Sequence, residues 1–119
     1  MSILPYVFTI TAVLGIAAGQ ILFKTVALRI AGRPPSVLIQ DPAFMGPLIA
    51  SLAIYGVATV MWILALQSLA LSRAYMFMSL SFVIVPVLSA TYFGEPLTWG
   101  FLAGLSLIVV GVTLTQLFG

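Results

Sequence analysis

The sequence predicts an all-α membrane domain of four transmembrane helices, and three observations carry that expectation. Of 119 residues, 63% are hydrophobic and only 5% charged, whereas a soluble domain uses roughly 25% charged residues to cover its surface. Mean hydropathy is +1.31. The charges themselves are sparse: Lys24, Arg29, Arg33, Asp41, Arg73 and Glu95 leave residues 2–23, 42–72, 74–94 and 96–119 uncharged. Each window can hold the stretch of about 20 residues that a hydrocarbon core of about 30 Å requires at 1.5 Å per residue.

Span one is expected over residues 4–28. It opens near Pro5, where a missing N–H donor costs little at a helix start. A cleaved signal peptide is disfavoured, since nothing before Pro5 is basic and the apolar run is long for a signal core. The joining loop, residues 30–44, holds Gly32, Pro34, Pro35, Asp41 and Pro42. The residue before each proline is pushed out of the α region, so the chain must break here. Span two is expected over 45–69, with Pro47 in its first turn, and Arg73 marks a short loop.

Span three is expected over 74–93 with Pro86 inside it. A proline there kinks the helix and releases the carbonyl four residues back, giving either a cavity-lining bend or a plain packing kink. The turn Gly94–Glu95–Pro96 makes a tight antiparallel hairpin with span four, expected over 96–117. Lys24, Arg29 and Arg33 stand on one side of the membrane against Arg73 on the other. The count favours a cytoplasmic first loop, and it shrinks to two against one if Lys24 lies within the helix.

Few polar groups lie inside the spans, and each is expensive in hydrocarbon. Thr9, Val13, Ile16, Gln20 and Lys24 share one face of span one. Two readings stand: Gln20 bonds a neighbouring helix while Lys24 snorkels to the interface, or both line a polar groove in which Lys24 attracts a phosphate. On span three, Tyr75, Ser79, Phe82, Pro86 and Ser89 recur at spacings of four and three, which suits a cavity wall or a packed seam. Gln67 and Arg73 fall at the membrane edge near Tyr75, where they can hold a polar headgroup. Trp99, Tyr6 and Tyr92 read as interfacial, and Trp62 as deeper. Gly15 and Gly19 form one G-x-x-x-G, Gly100 and Gly104 another with Gly111 further along the same face. Four spans make a thin bundle, so a dimer is the expected unit, with span four its candidate seam.

Much chemistry is excluded. There is no histidine and no cysteine, and Asp41 and Glu95 both fall in loops. No activated nucleophile, carboxylate pair, metal cluster or phosphate-cradling loop can be assembled. No enzyme activity, cofactor or metal is expected, and four basic residues flanking spans give no nucleic-acid face. Nor is there a mid-membrane acid for a cationic cargo. An anionic or zwitterionic amphiphile fits better, its headgroup in the groove and its tail in lipid.

Several stretches also carry a resemblance. They are Ala18–Gly19–Gln20 followed by Lys24; Trp62–Ile63–Leu64–Ala65–Leu66–Gln67; Ala74–Tyr75; Ser79–Leu80–Ser81–Phe82–Val83; and Glu95–Pro96. Together they resemble the drug/metabolite transporter superfamily, in the four-helix branch shared by small multidrug resistance proteins and aminoarabinose–undecaprenyl-phosphate flippase subunits. The multidrug proteins place an essential glutamate two turns before the first-helix lysine; here that position is Ile16, and the flippase subunits resemble this chain in lacking that glutamate. The resemblance implies a small multidrug resistance-like bundle, multi-pass in the bacterial inner membrane, that flips a polyprenyl-phosphate-linked sugar. It implies a substrate path or gate among Gln20, Lys24, Trp62, Gln67, Tyr75, Ser79 and Glu95, to which the reading of the residues adds Arg73. It also implies a homodimer, or a heterodimer with a paralogue. An efflux carrier of the multidrug type, or a non-transporting subunit that partners a glycosyltransferase, are the alternatives.

Overall fold

The computed structural model describes residues 3–119. Helix α1 (Leu4–Arg29) leads into a short helical turn, α2 (Val37–Gln40), and then α3 (Pro42–Leu66). The third crossing is made by two pieces, α4 (Leu71–Met78) and α5 (Ser81–Phe93), and the fourth by α6 (Trp99–Phe118). By length and composition four segments can cross a membrane: Leu4–Arg29, Pro42–Leu66, Leu71–Phe93 and Trp99–Phe118.

Local chemistry explains where these helices begin. Pro42 forces Asp41 into extended backbone, and the Asp41 carboxylate accepts the Ala43 N–H at 2.9 Å. This is an N-cap, and it starts α3 three residues ahead of Met45, the expected opening. Span four opens later than Pro96, because Thr98 is the cap: its hydroxyl accepts the Phe101 N–H at 3.1 Å. Gly94 ends α5 with φ +65°, a left-handed residue that glycine adopts without penalty.

The third crossing departs most from expectation. Its helix continues through Pro86 and breaks instead at Ser79 and Leu80. There the N–H groups of Ser79, Leu80 and Phe82 bond the carbonyls of Met76, Phe77 and Ser79, three residues back rather than four. The Ser81 hydroxyl takes the Met78 carbonyl at 2.7 Å. A side chain that competes for backbone carbonyls in this way favours a tightened turn over a continuing helix.

The core is the α1–α3 pair, the most extensive contact in the bundle. It is built from small residues: Ala12, Ala17, Gly19, Ser51, Ala58 and Ala65 are buried along it. Gly15 lies against Ile54 and Ala58, and Gly19 lies so close under the Tyr55 ring that a methyl there would overlap it. The first G-x-x-x-G therefore packs two helices of one chain. Without a hydrophobic drive between helices in lipid, close backbone approach of this kind supplies the attraction.

Helix α6 sits at the edge, in contact chiefly with α4 and α5, with no buried residue. One end is fastened by Arg73 on α4. Its guanidinium donates to the Gln116 carbonyl and side chain at 3.3 and 3.2 Å and to the Gly119 carbonyl at 2.9 Å. The cation thus satisfies the carbonyls left open at a helix C-terminus. The whole is flattened, 49 × 37 × 18 Å.

Candidate functional site

Between α6 and the α1–α5 wall lies an open cleft of about 580 Å³. Ile16 and Gln20 face it from α1, Phe82 and Pro86 from α5, and Gly100 and Gly104 from α6. A straight α1 puts Gln20 roughly 14 Å from its Arg29 end, at 1.5 Å per residue. The cleft is thus apolar except for a few groups, with Gln20 and Ser81 on its walls. Pro86 takes the place of a wall residue, as one of its two expected roles requires. The second pair of glycines opens into this space: nothing lies within 4 Å of where a side chain at Gly100 or Gly104 would begin.

Gln20 bonds a neighbouring helix, the first of its two readings, and also lines the cleft. Its side-chain amide donates to the Tyr55 hydroxyl on α3, and its stem stands in the cleft wall. Tyr55 in turn stacks on Phe23 with ring centroids 5.3 Å apart. Sequence reasoning passed over Tyr55; a tyrosine in mid-span, away from either interface, was the available signal.

One turn beyond Gln20 on the same face, Lys24 makes an ion pair with Glu95, Nζ to Oε1 at 3.4 Å. This pair straps α1 to the α5–α6 turn at the end of the cleft, and both side chains remain about half-exposed. The second Glu95 oxygen accepts the Ser89 hydroxyl. That bond is informative by contrast. Thr9, Thr11, Thr25, Ser51, Thr59, Thr91, Ser106 and Thr113 all turn their hydroxyls back onto carbonyls of their own helices, whereas Ser89 reaches out of its helix to a carboxylate. It lay on the expected span-three seam but was not among the candidate site residues.

The Ser89 hydroxyl, with Lys24 beside it, holds the Glu95 carboxyl below the usual carboxylate range against a smaller opposing push from burial. A folded value below the ordinary 4.5 means the stabilisation from the contacts of Glu95, the Ser89 bond foremost, is fully present above that pH and is lost as pH falls through the folded value. The melting temperature of detergent-solubilised wild type is expected to fall more steeply than that of Glu95→Gln below about pH 4.5. Parallel slopes would show that these contacts contribute nothing.

The remaining candidates lie elsewhere. Arg73 is at the opposite end of the bundle, committed to α6, and Gln67 and Tyr75 are exposed at that same end. Ser79 forms the break between α4 and α5. Trp62 is half-buried one turn from the end of α3, nearer the interface than a span ending at 69 would put it. Gln20, Lys24 and Glu95 are brought together; the other five are not.

Comparison with known proteins finds clear relatives. The chain is 36% identical over 114 residues, 90% of each chain, to the "probable 4-amino-4-deoxy-L-arabinose-phosphoundecaprenol flippase subunit ArnF" of Erwinia tasmaniensis. An ArnF subunit of the same description from an Enterobacter species is 32% identical over 94% of both chains. An ArnE subunit of Pectobacterium atrosepticum is 37% identical over 60% of this chain and 63% of its own. No protein-family model and no solved structure matches.

Proposed function

The chain belongs to the 4-amino-4-deoxy-L-arabinose-phosphoundecaprenol flippase subunit family, and on that premise we propose that it carries an undecaprenyl-phosphate-linked amino sugar across the bacterial inner membrane. It does so without chemistry on the lipid, as one half of a dimer. The observation that carries this reading is the open cleft beside α6, apolar along its walls and charged at one end.

A prenyl tail needs no aqueous path, because it stays in hydrocarbon while the headgroup crosses. Only the headgroup must be shielded from lipid. Gln20 offers it hydrogen bonds inside the membrane, and Lys24 compensates the phosphate near the interface. Gln67 and Tyr75 meet the headgroup at the opposite face, where Arg73 holds the end of α6, with Trp62 and Ser79 just inside. Ile16 stands in the cleft wall where a carboxylate would be needed to draw in an organic cation, which weighs against export of cationic drugs.

The flattened bundle supports a two-chain unit. Among the described residues α6 contacts chiefly α4 and α5 and buries no residue of its own, so a second four-helix chain, identical or paralogous, completes the route. Matches to subunits of both the ArnE and the ArnF description favour the paralogous arrangement.

The test is reconstitution into liposomes containing the aminoarabinose lipid, alone and together with an ArnE- or ArnF-type partner. A membrane-impermeant amine reagent reports how much headgroup is reachable from outside. Labelling should proceed beyond the outer-leaflet share only when the protein is present. Labelling that stops at that share with every partner would refute translocation.

A further inference from the structure

We infer that the Lys24–Glu95 pair is a two-charge receptor for a zwitterionic headgroup, in which Lys24 takes the phosphate and Glu95 the amine of the sugar. Glu95 is then the residue that selects amine-bearing headgroups over neutral ones. The inference rests on the transport reading above and adds to it a specificity determinant.

The geometry supplies one charge of each sign at one end of the cleft, 3.4 Å apart. An amino sugar joined through phosphate to a prenol carries the complementary set, a cation on the sugar and an anion at its lipid end. Binding such a headgroup exchanges one ion pair for two. What is given up is weak, because water reaches both side chains and screens their attraction. What is gained is two charge-assisted hydrogen bonds in place of one.

Glu95 is arranged to make that exchange. Ser89 holds one of its oxygens, and Pro96 restricts its backbone to extended geometry. The other oxygen faces Lys24 and can pass from the lysine ammonium to an incoming one without reorienting the carboxylate. Held below the usual carboxylate range, the group is ionised at neutral pH, where a sugar amine is largely protonated.

The other charges among the described residues are placed differently. The Asp41 carboxylate caps α3, and the Arg33 guanidinium lies over the Phe44 ring, 5.5 Å from its centre. Arg73 is spent at the far face. Arg29 lies more than a turn beyond Lys24 at the end of α1. The exchange also has a mechanical result, since a lysine engaged with phosphate no longer straps α1 to the α5–α6 turn. Occupancy therefore loosens the end of the cleft through which the headgroup must move.

The experiment measures binding of two short-chain prenyl phosphate sugars to the full chain in lipid nanodiscs, one with a free 4-amino group and one N-acetylated. Wild type should prefer the free amine by about tenfold, the low end for a charge-assisted hydrogen bond that water still reaches. Glu95→Gln should bind the two equally, Glu95→Asp should keep the preference, and Lys24→Ala should weaken both. If Glu95→Gln does not yield folded protein, Ser89→Ala serves, and its preference should shrink by about threefold. Equal binding by wild type would overturn the receptor while leaving transport intact, as would a Glu95→Gln loss that is the same for both lipids or an unchanged Ser89→Ala ratio. Binding of neither lipid by wild type would overturn the transport reading as well.

Discussion

Gly19→Ala is expected to destabilise the protein by about 1–3 kcal/mol, and Gly19→Leu to leave no folded material in detergent. A methyl at this position falls inside the Tyr55 ring. The ring cannot swing aside freely, because it is stacked on Phe23 and bonded to Gln20. Either α1 and α3 separate, or both contacts are lost, and this pair of helices is most of the core. The control is in the same chain. Gly104→Ala meets nothing within 4 Å and replaces the poorer helix former by the better, so it should be neutral or stabilising by up to about 1 kcal/mol. Thermal unfolding of the two alanine variants, compared side by side, decides the matter; equal melting temperatures would remove Gly19 from the packing account.

Lys24→Ala is expected to slow translocation of the aminoarabinose lipid by roughly ten- to hundredfold, the worth of one charge-assisted hydrogen bond to phosphate. Its melting temperature should hardly move, because a half-exposed ion pair adds little to stability. That separation between transport and folding is the informative part. Lys24→Arg keeps the charge and adds a planar fork suited to phosphate, so it should retain a substantial share of the rate. Liposome labelling and thermal unfolding on the same preparations test both statements. An unchanged rate in Lys24→Ala would end the phosphate role.

The four crossings were legible because charge is so costly in hydrocarbon that six charged side chains punctuate the whole chain. Their ends were legible only approximately. Where α3 and α6 start was decided by two side chains, Asp41 and Thr98, each accepting one backbone N–H, and composition does not register single bonds of that kind. The break in the third crossing was expected at the proline and falls six residues earlier, where Ser81 competes for a carbonyl. The glycine pairs show the same limit from the other side. Gly15–Gly19 and Gly100–Gly104 are identical as motifs, yet one is pressed against a tyrosine and the other borders open space. Spacing shows that two residues share a face; it does not show what that face meets.

Of the site, Gln20 and Lys24 were readable together because they are one turn apart on one helix. Glu95 was readable only as a loop acid, since its pairing with Lys24 spans most of the chain. Ser89 and Tyr55 gained their roles from partners that no local pattern brings near. Arg73 was expected at a headgroup and is instead occupied with the end of α6, a use of cations at helix C-termini that its surroundings in sequence did not single out.

The bare backbone at Gly100 and Gly104 has a practical corollary. The hollow beside the fourth crossing exists because two side chains are missing, so its bore can be set by substitution without redesigning the scaffold. A bulky residue at either position would act as a plug, giving an intact but sealed protein whose lipid cargo is arrested at whichever leaflet it reached first.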